Sequence, residues 1–187
     1  MDNFLENPTI EGSIIVKENI FEDLRGSFGR LFDDRKFSEV FFNNVKNINV
    51  SKNTSKGTIR GLHMQTGAYS ETKIIFCSQG SIIDLFIDCR LESSSFGSLN
   101  AIKLSSKTNK TLLIPRGCLH SFLTLEDNTE VIYLTDNYYS PENEISVSPF
   151  SKEIVNQFKP YQINICSEKD KKGMEYSKFF KSLTNTN

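Results

Sequence analysis

The chain has two histidines, and each follows a glycine turn that runs into an apolar segment. His63 lies in Gly57-Thr-Ile-Arg-Gly-Leu-His-Met-Gln65, three residues after Arg60; His120 lies in Ile114-Pro-Arg-Gly-Cys-Leu-His-Ser-Phe122. Imidazole is the side chain whose unperturbed proton affinity falls near neutral pH. A histidine beside a permanent guanidinium charge is therefore a candidate general base next to an anion-binding group. Other groups able to move or stabilise protons sit inside apolar segments: Lys73 in Thr72 to Cys77, Asp84 in Ser81 to Asp88, and Tyr133 in Thr129 to Asp136. Each also has an ordinary reading. A single strand histidine is commonly a satisfied core or surface residue, a mid-strand tyrosine commonly packs, and Lys73 can mark the exposed start of a strand.

The elements that must position these groups read as strands. Ser13 to Lys17 is short and β-rich, Asp23 to Gly26 is a turn into a strand, and Asp34 to Glu39 is a short helical turn. Val45 to Val50 alternates as a strand carrying Asn47 and Asn49, and Ser51 to Lys56 reads as a polar loop. Further strands are predicted over Thr58 to Gln65, Thr72 to Cys77, Ser81 to Asp88, Leu99 to Leu104, Thr111 to Ile114, Leu119 to Leu125 and Thr129 to Asp136. Turn signals at Gln79-Gly80, Phe96-Gly97, Arg116-Gly117 and Asp127-Asn128 separate them. Many short strands with few helical patterns indicate an all-β antiparallel sandwich or jelly roll. After Pro141 the pattern weakens: Ser151 to Phe158 and Glu168 to Leu183 read as helical or irregular, and Thr184 to Asn187 is expected to fray.

Period-two alternation places the polar groups. On Ser81 to Asp88, Ile83, Leu85 and Ile87 form one face and Ile82, Asp84, Phe86 and Asp88 the other. Lys73 shares a face with Ile75 and Cys77, His120 with Phe122 and Thr124, and Tyr133 with Val131 and Thr135. Buried charges are costly unless paired. A Lys, an Asp, a Tyr and two His on adjoining strands therefore describe a lined cup, not a solid core. Strict alternation would put Arg60 and His63 on opposite faces, so both face a ligand only if a bulge intervenes.

Composition excludes several classes. A length of 187 residues with 37% hydrophobic residues suits a single domain over 1–187, with a core of about 14–171 and a tail over 172–187. A net charge of -1 and a pI near 6.2 give no basic stripe for nucleic acid. No apolar run approaches the ~20 residues that cross a bilayer, so no membrane partner is expected. The four cysteines form no Cys-x-x-Cys pair, and the N-terminus has neither a basic n-region nor an apolar h-region, which indicates a reduced, cytoplasmic protein. Two histidines with no His-x-His offer no metal-ligand cluster, and no Gly-x-Ser-x-Gly or Walker pattern occurs. No cofactor is expected.

Taken together, the two histidine motifs, Gly80 to Arg90 ending Ile87-Asp-Cys-Arg90, Leu125-Glu-Asp-Asn-Thr-Glu-Val-Ile-Tyr133 and Tyr138-Tyr-Ser-Pro-Glu142 resemble the dTDP-4-dehydrorhamnose 3,5-epimerase family in order and spacing. The resemblance runs from Ile14 to Lys171 and takes in Asp23-Leu-Arg-Gly-Ser-Phe28, Asn49-Val-Ser51 and Cys166-Ser-Glu-Lys-Asp170. It implies a metal-free cupin-type jelly-roll β-sandwich, with short C-terminal helical segments, that forms a homodimer. The implied activity is epimerisation of a 4-keto-6-deoxy sugar on a nucleoside diphosphate, at carbons flanking the ketone.

The same resemblance assigns roles. His63 is the base, oriented by Asp170; Lys73 faces the ketone oxygen; Tyr133 is the acid on the opposite face. The other residues it implies bind substrate: Arg60 and Arg25 pair with the diphosphate, Asn49 and Gln65 add hydrogen bonds, Asp84 and His120 are supporting polar positions in the same cup, and Phe28 and Tyr139 offer surface to the nucleotide. The chain departs from the family at Asn47, where Gln is frequent, at Ser121, where Gly or Ala is common, and over Ile145 to Phe150, the counterpart of a Trp-x-Asp-Pro stretch. It has no Trp. A non-epimerising nucleotide-sugar-binding cupin, or a 4-keto-sugar ketoisomerase, is the alternative.

Overall fold

The computed structural model describes residues 4–17, 19–37 and 44–185. Its strands are β1 (Ile14–Lys17), β2 (Ile20–Asp23), β3 (Gly26–Gly29), β4 (Asn47–Asn53), β5 (Ile59–Gln65), β6 (Lys73–Gln79), β7 (Ser81–Asp88), β8 (Leu99–Ser105), β9 (Lys110–Ile114), β10 (Cys118–Thr124), β11 (Thr129–Thr135) and β12 (Glu144–Ser146). Its helices are short: α1 (Asp34–Phe37), α2 (Lys152–Val155), α3 (Glu168–Lys171) and α4 (Tyr176–Thr184). None is long and apolar enough to cross a membrane.

Two five-stranded antiparallel sheets, ordered β1-β9-β6-β11-β4 and β12-β5-β10-β7-β8, stack face to face, and β2-β3 forms a separate hairpin. This is the antiparallel jelly-roll sandwich expected from the strand spacing. Between the sheets, Ile75, Cys77 and Val131 of the first meet Ile82, Phe86 and Phe122 of the second. The outer face of the second sheet carries Ile59, Leu62, Leu85 and Leu123 and is covered by Phe158 and by Phe179 of α4. The outer face of the first sheet, with Ile74, Phe76, Leu113 and Leu134, is covered by Phe37 of α1. Strand β7 is thus buried on both faces along its whole length, which is why it reads as a nearly unbroken apolar run. Its carboxylates are paired: Asp88 receives hydrogen bonds from Arg90, Ser93 and Ser95, and Asp84 receives one from His120.

Two expectations need correction, and one strand was not foreseen. Ser51 to Asn53 is strand, not loop, with Ser51 opposite Val131 and Asn53 opposite Thr129. These side chains are polar because their face looks into the space between the sheets, and that polarity imitates a loop. The weak segment after Pro141 contains β12, which extends the second sheet through Glu144↔Gln65 and Ser146↔His63; three residues are too few to show a period. Thr184 still belongs to α4, and Thr186 and Asn187 lie outside the described residues, as do Ser38 and Glu39 of the expected helical turn.

The bulge that His63 and Arg60 require is present. Opposite β5, Ser121 pairs with Gly61 and His120 with His63, leaving Leu62 as the extra residue. Leu62 turns into the outer core, and Arg60 and His63 then point the same way. Gly61 has φ +99°, and a Cβ there would lie 2.5 Å from the His120 carbonyl oxygen, so no other residue fits this bend.

Candidate active site

A cavity of about 830 Å³ opens between the sheets. The second sheet supplies His63, Arg60 and His120, the first supplies Tyr133, Lys73 and Asn49, and the C-terminal segment supplies Asp170. That segment reaches the cavity because it runs alongside the start of β5, where Ile59 N–H donates to the Ile165 carbonyl at 2.9 Å. Ser167 then caps α3, accepting from the Asp170 N–H at 3.0 Å.

His63 Nε2 lies 2.7 Å from Asp170 Oδ1, and Asp170 Oδ2 accepts from the Gly61 N–H at 3.1 Å. Burial alone would raise the Asp170 carboxyl, but the hydrogen bond with His63, the electrostatic attraction of that ring and the Gly61 N–H outweigh it and hold the group below its ordinary 3.8. An ionised carboxylate only accepts, so Nε2 carries the hydrogen and Nδ1 is the nitrogen left to take a proton. Glu144 Oε1 stands 3.8 Å from Nδ1. Its carboxylate is held below the ordinary range because Lys169, His63 and the Tyr139 hydroxyl offset the cost of burial.

Across the cavity, Tyr133 is raised above its ordinary 10.0, first by burial and then by the negative charge of Glu71, with Arg60 opposing. A phenol held protonated is suited to give a proton rather than take one. Lys73 Nζ lies 3.3 Å from Glu71 Oε1, both side chains nearly enclosed. Arg60 donates from Nε to Asn53 Oδ1 at 2.8 Å, and Asn53 is itself held by its Nδ2 on the carbonyls of Ser51 and Thr129. The guanidinium's remaining donors are therefore aimed by a fixed amide.

Not every expected residue meets the cavity on the same terms. His120 lines it, but Asp84 stands behind His120, fully buried, with Oδ2 2.9 Å from His120 Nε2; its place is that of a positioning group. Gln65 spends its amide on the chain that carries Tyr139, donating to the Tyr69 and Tyr138 carbonyls and accepting from the Ser140 N–H at 2.6 Å. Tyr139 sits at the mouth, its hydroxyl donating to Glu144 Oε2 at 3.0 Å. Arg25 and Phe28 lie on the β2-β3 hairpin, away from these walls: Arg25 is paired with Asp23 at 2.6 Å with its side chain 90% exposed, and Phe28 is 71% exposed.

Glu71, Asn53, Glu144 and Lys169 were not foreseen. Glu71 was legible through its i, i+2 relation to Lys73, and Lys169 adjoins Asp170. Asn53 was hidden by the loop reading and Glu144 by the unrecognised β12.

A base and an acid on facing sheets can act on opposite faces of one flat ring, with a cation and a guanidinium placed for developing and fixed negative charge. The chain is similar in sequence and in structure to known nucleotide-sugar epimerases. The sequence profile of the dTDP-4-dehydrorhamnose 3,5-epimerase family matches residues 7–178. The Shigella flexneri dTDP-4-dehydrorhamnose 3,5-epimerase is 34% identical over 165 residues, covering 87% of this chain and 90% of that protein. The crystal structure of the Bacillus anthracis dTDP-4-dehydrorhamnose 3,5-epimerase with TDP and PPi bound superposes with a TM-score of 0.82 at 30% identity, covering 91% of this chain and 98% of the other. The Legionella pneumophila dTDP-6-deoxy-D-glucose-3,5-epimerase in complex with dTDP-4-keto-L-rhamnose does so with a TM-score of 0.81 at 26% identity, covering 97% and 93%. The chain belongs to the dTDP-4-dehydrorhamnose 3,5-epimerase family.

Proposed function

We propose that this protein inverts C3, C5 or both of a 4-keto-6-deoxy sugar carried on a nucleoside diphosphate. His63 Nδ1 takes the proton from a carbon flanking the ketone, the electron pair of the C–H bond passes into the enolate, and Lys73 stabilises the oxygen that gains charge. Tyr133 returns a proton to the other face. The observation that carries this reading is the placement of His63 and Tyr133 on the two facing sheets of one cavity. A protein that only binds the sugar needs no such pair. Arg60, aimed by Asn53, takes the diphosphate, for which a planar guanidinium is well suited, and Tyr139 at the mouth offers its ring to the base. The TDP and the dTDP-keto sugar of the two neighbours support thymidine as the nucleoside.

The active form is a homodimer in which Arg25 and Phe28 reach the cavity of a second copy. Supporting this, Phe21 and Phe28 on the hairpin and Ile48 and Val50 on the edge strand β4 leave apolar surface exposed, the kind of surface and edge that proteins ordinarily cover. Two experiments test the proposal. Incubating the protein in D2O with dTDP-linked and CDP-linked 4-keto sugars and locating deuterium by NMR should show label at C3, C5 or both with inverted configuration; binding without exchange would leave the sugar-binding alternative standing. Mixing Arg25→Ala chains with His63→Asn chains should restore activity through the one intact site of the mixed dimer. No restoration, with mixed dimers demonstrated, would place Arg25 elsewhere.

A further inference from the structure

Glu71 is a carboxylate where the reaction itself has little use for one. Its side chain is 12% exposed and lines the cavity beside Lys73, whose own side chain is 11% exposed, and their 3.3 Å ion pair is the one hydrogen bond or ion pair the carboxylate makes among the described residues. The neighbouring backbone is fixed, since the Thr72 N–H donates to Asp136 Oδ1 at 2.7 Å and Asp136 is paired with Arg116 at 2.6 Å. The same negative charge reaches Tyr133, where after burial it is the next cause keeping the phenol protonated.

A carboxylate offers about four acceptor positions, and Lys73 fills one. In the open cup, water can fill the rest. When a sugar displaces that water, an unsatisfied charge in an enclosed site becomes costly, so the ligand must bring a donor. On a 4-keto-6-deoxy ring carried through a diphosphate, the ketone, the ring oxygen and the phosphates are acceptors only; the donors are the hydroxyls at C2 and C3. An enolate oxygen or a phosphate beside Glu71 would be repelled.

We infer that Glu71 is a specificity residue that accepts a hydrogen bond from a ring hydroxyl of the sugar, drawing the carboxylate off Lys73 and leaving the ammonium free for the ketone oxygen. This rests on the catalytic reading of the cavity given above. It makes the enzyme selective for sugars that keep that hydroxyl, because a site built to bond a hydroxyl discriminates strongly against the analogue lacking it.

The test compares wild type, Glu71→Gln and Glu71→Ala on three substrates: the parent 4-keto sugar and its 2-deoxy and 3-deoxy analogues. The readout is kcat/KM for deuterium entry at whichever of C3 and C5 the wild type labels in the parent sugar, since all three sugars keep both carbons beside the ketone. Wild type should prefer the parent over one of the two analogues on the order of 10²-fold. Glu71→Ala should bring that ratio to within about 3-fold, and Glu71→Gln, which keeps an acceptor oxygen and the volume, should lie between and serves alone if Glu71→Ala does not fold. Variants that exchange deuterium yet keep the full wild-type ratio for both analogues would overturn the role of Glu71 and leave the catalytic reading intact. Absence of exchange at both C3 and C5 of the parent sugar in all three proteins would overturn the catalytic reading itself, and this inference with it.

Discussion

Replacing Asp170 by asparagine separates orientation and charge at His63 from everything else in the cavity. In the native site Oδ2 accepts from the Gly61 N–H at 3.1 Å while Oδ1 accepts from His63 Nε2 at 2.7 Å. An amide has one oxygen to serve both donors. If that oxygen keeps Gly61, the NH2 faces Nε2, which must then accept, and the ring hydrogen moves to Nδ1, the nitrogen needed as the base. If the amide flips, its NH2 meets the Gly61 N–H. The variant also loses the charge that stabilises the imidazolium formed on proton removal; at a charge separation of ~4 Å and an effective dielectric of ~20 that interaction is ~4 kcal/mol, or about three decades in rate at ~1.4 kcal/mol per decade. We expect Asp170→Asn to lower kcat by at least about 10³. Affinity for the nucleoside diphosphate should stay within about 3-fold, since Arg60 is held by Asn53 on a separate strand. The assay is deuterium entry into the 4-keto sugar in D2O, followed by NMR alongside isothermal titration of the nucleotide. A folded variant with kcat within about 10-fold of wild type would refute the assignment of Asp170 as the partner that sets the tautomer.

Two further outcomes follow from the geometry. On the proposed role of Arg60 at the diphosphate, Arg60→Ala should raise KM about 10- to 100-fold while kcat changes by less than about 3-fold; an unchanged KM with lost turnover, from steady-state kinetics, would contradict the role. Asp88 is fully buried, and although burial pushes its carboxyl up, Arg90, Ser93 and Ser95 outweigh burial and hold it at about 2, below the ordinary 3.8. The stability it contributes, on the order of 2 kcal/mol, is present above the ordinary value and is lost as pH falls from about 4 through about 2. Thermal melts of wild type and Asp88→Asn should therefore differ at pH 6 and converge near pH 2; curves parallel across that range would contradict the pairing.

The central strands, their order and the inward set Lys73, His120 and Tyr133 were legible in the sequence because period-two alternation and glycine turns act locally. Arg60 and His63 show the limit of that reasoning. Alternation sets them on opposite faces, and what turns them the same way is an extra residue, Leu62, packing outward beside a glycine whose bend depends on the strand opposite. Ser51 and Asn53 were misread because a strand face bordering a wet cavity carries the same residues as a loop. Glu144 depends on β12, whose pairing with β5 is a long-range contact no local pattern encodes. Gln65 and Asp84 have the expected chemistry, but which groups they bond, the Tyr139 chain and His120, is decided by the closed sandwich. Arg25 and Phe28 stay outside the cavity of their own chain because the β2-β3 hairpin that carries them pairs with neither sheet.

The central claim is that His63 and Tyr133 act on opposite faces of the same ring, and the placement of deuterium in His63→Asn and Tyr133→Phe tests it most directly. Each variant is incubated in D2O with the 4-keto sugar, and NMR records which carbon gains deuterium and with what configuration. His63→Asn forms no enolate, so neither product nor deuterium should appear. Tyr133→Phe keeps the base: deuterium should enter recovered substrate with retention, while inversion falls by about 10² to 10⁴. Inversion at close to the wild-type rate in Tyr133→Phe, or deuterium entry that survives in His63→Asn, would contradict the account.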